Sequence, residues 1–178
     1  MSNLWELIKE LREKIFQREK VEEKPERSEQ FKQALQFVLK WEGFISNDPQ
    51  DPGGLTIWGI SYRSHKEAVL EMERLINEQK KDEAFKIAED IYYENYWLPM
   101  NCDNLQYPMD CIIFDTSVNM GKGKAKELLA SSNDWKDYLL LRLYAYSKLK
   151  QAKLYFRGWA NRTLDLYNLI KEKGNEDD

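Results

Sequence analysis

The sequence predicts a mainly α-helical fold, a bundle packed around one central core helix, with a short β-hairpin set into it. Three observations predict this. Apolar residues recur at helical spacing through most of the chain. A dense run of turn formers, Asn47-Asp48-Pro49-Gln50-Asp51-Pro52-Gly53-Gly54, leads into Leu55 to Tyr62, which alternates loosely and is rich in β-branched and aromatic residues. A hydrophobic share of 42% with six Trp in 178 residues suffices for one core.

Residues 2–19 carry Leu4, Ile8, Leu11 and Ile15 at four-three-four spacing, with charges on the other faces. An amphipathic helix is expected, either folded back on the body, self-associating or docked on a partner, or lying on a membrane surface. Val21 to Arg27 is charged, contains Pro25 and reads as a linker, so residues 1–27 form an appendage to a domain over 28–173. Ser28 is the expected N-cap of a helix running to Trp41-Glu42, with Glu29 favourable in its first turn. Ser64 is expected to cap the next helix, and Asp82 to start a third that ends at Trp97-Leu98-Pro99. Met109 to Met120 reads as the buried helix. Asp134 is expected to cap a helix from Tyr138 to Leu149, and the last helix spans Lys153 to Lys173. Gly158, lacking a side chain, is expected to permit close packing there, and Trp159 to lie in the core. The polar tail over 174–178 is expected to be disordered.

Composition narrows the function classes. A net charge of −4 gives no basic footprint for nucleic acid. One His, His65, gives little basis for a His-based metal site or a Ser-His-Asp triad. No apolar run reaches the length of a membrane span. Charges interrupt Leu4 to Phe16, so no signal peptide is visible, and a protein made in a reducing cytoplasm is expected. Cys102 and Cys111 could pair, or stay free thiols in that reducing compartment.

Glu42 stands out by its phase. Phe31, Leu35, Val38 and Glu42 follow at four, three, four, so a glutamate takes the next slot of a core-facing stripe. Partial burial there would disfavour the charged form, as a general acid requires. A last-turn glutamate with its head in water fits the same spacing. Asp48 and Asp51 follow in the turn.

These residues resemble the signature of glycosyl hydrolase family 108, lysozyme-like muramidases of bacteriophages and bacteria. Glu42-Gly43-Phe44 is followed by Asn47-Asp48-Pro49-Gln50-Asp51-Pro52-Gly53-Gly54 and then by Thr56, Gly59 and Ile60. Phe44 stands where the family commonly has a second glycine. The Tyr-x-x-x-Tyr-Trp ending at Trp97, Phe114-Asp115-x-x-Val118-Asn119-x-Gly121, and Phe156-x-Gly158-Trp159-x-x-Arg162 also resemble family segments, in the expected order. Phage lysozymes often place Asp after eight residues and Thr after five more; here Glu42 and Asp51 keep the first interval, and four residues precede Thr56. After Ala125, Leu128 and Leu129, the glycine-rich loop of the family's C-terminal, peptidoglycan-binding region is missing.

The resemblance implies a lysozyme-like α+β fold and cleavage of peptidoglycan strands at the β-1,4 link between N-acetylmuramic acid and N-acetylglucosamine. Glu42 would be the general acid, Asp51 the second carboxylate, and Thr56 would position water. Asp48, Trp58, Tyr62, Tyr96, Trp97 and Asn119 are the expected substrate contacts. Tyr96 and Trp97 would stack on sugar rings, and Asn119 would meet an N-acetyl group or serve as a C-cap. Asp115 would hold a backbone N–H or an Arg, and Arg162 would pair with Asp115 or line the groove. The chemistry calls for no metal or organic cofactor. Cell-wall lysis by a phage- or bacterium-encoded endolysin, delivered through a lysis hole, a virion or another route, is the expected setting. A lytic transglycosylase and a retired lysozyme-fold docking protein are the alternatives.

Overall fold

The structure is a computed structural model that describes residues 26–47 and 53–174. The expected helix over 2–19, most of the linker, Asp48, Asp51 and residues 175–178 lie outside them.

Helix α1 spans Glu29–Glu42, and the Ser28 hydroxyl accepts from the Phe31 N–H, as its cap role requires. Three two-residue strands follow: β1 Ile45–Ser46, β2 Thr56–Ile57 and β3 Ile60–Ser61. They form one antiparallel sheet in the order β1-β2-β3, with Ile45 opposite Ile57 and Ile57 opposite Ile60. Trp58 and Gly59 make the β2–β3 turn at φ +47° and +77°, positive at both central positions as a tight twisted hairpin demands. Helix α2 (Lys66–Asn77) pairs with α3 (Lys81–Tyr92), which continues into a π turn at Tyr93–Trp97 and two 3-10 turns. Then come α4 (Met109–Met120), α5 (Lys122–Ser131), α6 (Trp135–Ser147) and α7 (Ala152–Gly174).

Helix α4 is the hub. Every residue from Asp110 to Ser117 is buried, and it packs on both α1 and α5. Phe31 of α1 and Phe114 of α4 meet edge-to-face at 5.8 Å, and Trp97 closes the triangle at 5.3 Å and 5.4 Å. Such contacts add about 0.5–1.5 kcal/mol each beyond burial of area. Helix α7 runs antiparallel along α1. Asp165 accepts from Lys40 and from the Trp41 indole near one end, and Lys173 donates to Gln33 near the other.

Local expectations fail where tertiary packing decides. Ser64 caps nothing: α2 starts at Lys66, and the Ser64 hydroxyl accepts from Ser61. Arg27, read as linker, is tethered to Asp90 at 2.8 Å and lies over the Tyr93 ring. Gly158 is no close-packing site, since a Cβ there would meet nothing within 4 Å. Trp159 lies outside the main core, half-buried and stacked on Tyr146 at 5.0 Å. Cys102 and Cys111 are free and buried, and burial pushes both thiols up.

Candidate active site

The phase argument for Glu42 holds in space. The last residue of α1, it lines a small cleft of about 110 Å³. The β2–β3 turn forms one wall with Gly59, Ile60 and Ser61, and Ser64 and His65 follow it. The opposite wall is α3 and its π turn, through Ile91, Tyr92 and Tyr96, with Val118 of α4 behind.

Gly59 brings the two walls together. A Cβ at this position would come within 2.6 Å of the Tyr92 hydroxyl and 2.8 Å of the Glu42 Cβ. The turn therefore rests directly on the glutamate stem, where only glycine fits. The Tyr92 hydroxyl donates to the Trp58 carbonyl at 2.8 Å and pins the hairpin to α3. Burial pushes the Tyr92 phenol well up, with the nearby Glu42 charge adding to it, and Tyr96 shifts the same way for the same two reasons. Both phenols keep their protons.

Behind the glutamate runs a chain of ion pairs. Glu42 Oε1 accepts from Arg162 Nη1 at 2.7 Å. Arg162 also reaches Asp115 Oδ1 through Nε at 2.9 Å and Nη2 at 2.7 Å. Asp115 Oδ2 lies 2.6 Å from Arg142 Nη1. Arg142 Nε donates to the Tyr146 hydroxyl, which donates to Asn119. Helices α1, α4, α6 and α7 each contribute one charge, and two carboxylates balance two guanidiniums. Burial opposes the Arg162 charge, but Asp115 and Glu42 outweigh it, so the side chain stays cationic. Of the two options left open for Arg162 by the sequence, the first is realised: it pairs with Asp115, and it holds Glu42 without itself lining the cleft.

The other expected site residues divide sharply. Tyr96 is beside Glu42 in the cleft. Thr56 is half-buried on β2, its hydroxyl donating to the Gly54 carbonyl at 3.3 Å, and Tyr62 is half-buried beyond the hairpin. Trp97 cannot be a sugar platform. It is 0% exposed, and its indole N–H donates to Asp103. The π turn carries this ring into the Phe31–Phe114 cluster rather than out at the helix end. Trp58 is likewise buried, its ring against Phe44 and Phe85, and is a packing residue of the strained turn. Asn119 accepts from Tyr146 and so closes the ion-pair network; it does not cap the helix. Among the described residues, no group of three His, Cys, Asp or Glu is placed to hold a metal ion.

Arg142 escaped the sequence reading. The available signal was a lone arginine inside Leu139-Leu140-Leu141-Arg142-Leu143, with Tyr146 one turn on. A charge in such a run must find a buried partner.

A larger concavity of about 410 Å³ runs between α1 and α7. Its carboxylates are Asp165, which accepts from Lys40 and Trp41, and the exposed Glu172.

The chain matches the family described as Glycosyl hydrolase 108 over residues 35–121. Among solved structures it is similar to that of Brucella abortus SagA, with a TM-score of 0.61 at 22% identity, covering 80% of this chain and 94% of that one. At that identity the likeness is one of fold, the mainly α, lysozyme-like α+β arrangement. No curated protein matches the sequence.

Proposed function

We propose, for a chain whose residues 35–121 belong to glycosyl hydrolase family 108, that this glycoside hydrolase cuts peptidoglycan at the β-1,4 bond between N-acetylmuramic acid and N-acetylglucosamine. The observation that carries the reading is Glu42, the carboxylate of a small cleft, gripped at one oxygen by Arg162.

Glu42 acts as general acid and protonates the leaving oxygen. Arg162 fixes the carboxyl group, and Asp115, shared with Arg142, remains an anionic partner of Arg162 when Glu42 holds the proton. Tyr96 offers a protonated hydroxyl and a ring edge to the sugar beside the acid. The oxocarbenium-like transition state needs a second carboxylate or an activated water opposite. By residue pattern, Asp51 serves there, with Asp48 next and Thr56 positioning the water. The substrate is the cell wall, and the segment at 1–27 is a docking device for a protein partner or a second copy.

The test is clearing of outer-membrane-permeabilised bacteria. Wild type clears the suspension, and Glu42→Gln, at unchanged far-UV circular dichroism, loses about 10²–10⁴-fold of the rate, the usual share of a general acid. Equal clearing by the two ends the proposal. Product mass separates hydrolysis from lytic transglycosylation, which leaves an anhydro sugar with no water added.

A further inference from the structure

The tip of the α6–α7 hairpin is unlike the rest of the surface. The protein carries a net charge of −4, yet no acidic residue occurs between Asp137 and Asp165. Lys148, Lys150, Lys153 and Arg157 all fall in that stretch, and all are exposed. Between them stand exposed apolar side chains. Leu154 is 77% exposed and Tyr155 56%, and Leu149 and Phe156 are exposed beside them. Tyr144, exposed on the last turns of α6, carries the Lys148 ammonium over its ring at 4.7 Å.

Every residue from Lys153 to Gly158 is exposed, so the first turns of α7 project beyond the body. The empty surroundings of Gly158 agree with that. Leucine side chains left in water at a projecting tip gain nothing for the fold, because burial is what would stabilise them. They call for an occupant.

We propose that this tip is a peripheral docking surface for an anionic phospholipid bilayer. The charge pattern selects the occupant. A bilayer carrying acidic headgroups answers the four cations and the leucines together. A wall glycan would reward the cations and the aromatic faces but not Leu149 and Leu154. The chain's own segment at 1–26 has nearly equal acids and bases and offers little to this charge. Among the described residues no helix is long and apolar enough to cross a membrane, so the attachment is interfacial. The leucines and Tyr155 would sit at the acyl boundary, with the lysines at headgroup level.

Sedimentation of the full chain with vesicles tests this without reference to hydrolysis. Wild type should pellet with phosphatidylcholine–phosphatidylglycerol vesicles and at least about tenfold less with phosphatidylcholine alone, since each lysine near an anionic surface contributes about 1 kcal/mol. Leu154→Ser/Tyr155→Ser and Lys150→Glu/Lys153→Glu should each lower binding to the anionic vesicles at least about tenfold, with unchanged thermal midpoints because the sites are exposed. Wild-type binding retained in both variants would overturn the proposal and place any contact elsewhere, as on the segment at 1–26. So would tip-dependent pelleting with purified peptidoglycan but not with vesicles, or a tip-dependent dimer with no vesicle binding.

Discussion

Arg162 holds two carboxylates at nearly the same distance, and the two ends of that contact are different places. Glu42, at the corner of α1 and the hairpin, keeps 24% of its side chain exposed in the cleft and is held through Oε1. Asp115, in the middle of α4, is 0% exposed and lies between two arginines. At the buried end, removing the anion would leave Arg142 without a counter-charge in a dry interior and Arg162 with Glu42 alone. At the cleft end, water is at hand and Asp115 still answers Arg162. The same guanidinium therefore serves as framework on one side and as a positioning group on the other, and burial decides which.

The comparison can be broken directly. Asp115→Ala should cost about 3–5 kcal/mol, the penalty of a buried ion pair missing one partner. In a chain of this size that lowers the thermal midpoint by roughly ten degrees or more. Glu42→Gln should change stability by less than about 1 kcal/mol, as expected for a partly solvated pair. Equal losses in the two melts would erase the distinction.

Arg162→Lys asks whether the fork matters. A lysine keeps the charge but cannot grip Glu42 and Asp115 in one plane. Lytic rate should fall by at least about tenfold, while the midpoint falls less than in Asp115→Ala. A variant of wild-type rate would show that Arg162 supplies charge alone.

Two glycines sharpen the contrast between wall and tip. Gly59→Ala must push against Tyr92 and Glu42 at a φ of +77°, and should cost about 1–3 kcal/mol together with activity. Gly158→Ala meets open space in a helix and should stabilise by up to about 1 kcal/mol. Urea melts of the two give opposite signs if the packing is as described.

The smallest effect concerns Asp110, a second buried carboxylate of α4. It takes the Cys111 backbone N–H at 2.7 Å in place of an arginine, and burial raises its pKa. A raised carboxyl means that the fold favours the protonated form. Wild-type stability relative to Asp110→Asn is thus full below the ordinary aspartate range and is lost as pH rises through the shifted value. The variant should match wild type in acid and exceed it at neutral pH. A constant difference across the range would show that the Asp110 charge has no bearing on stability.

Much of this was legible in the chain. The Phe31, Leu35, Val38 stripe placed Glu42 on the core side of α1, and it lines the cleft. Ser28 and Asp134 cap helices as their side chains suggested, and α4 begins and ends at Met109 and Met120. Trp97 and Trp58 were misjudged because an aromatic at an element's end is exposed or buried according to what packs there. A π turn and a strained hairpin send both rings inward. Arg142 went unnoticed because its partner lies 27 residues away, on α4.

Periodicity, caps and turn residues act over a few neighbours, so the sequence by itself determined the main helices among the described residues, the hairpin and the core-facing placement of Glu42. Which arginine meets which carboxylate, which glycine is crowded and which helix end projects bare depend on the long-range approach of α1, α4, α6 and α7. Only the tertiary structure decided those, because a buried charge is stable solely where distant segments bring its counter-charge.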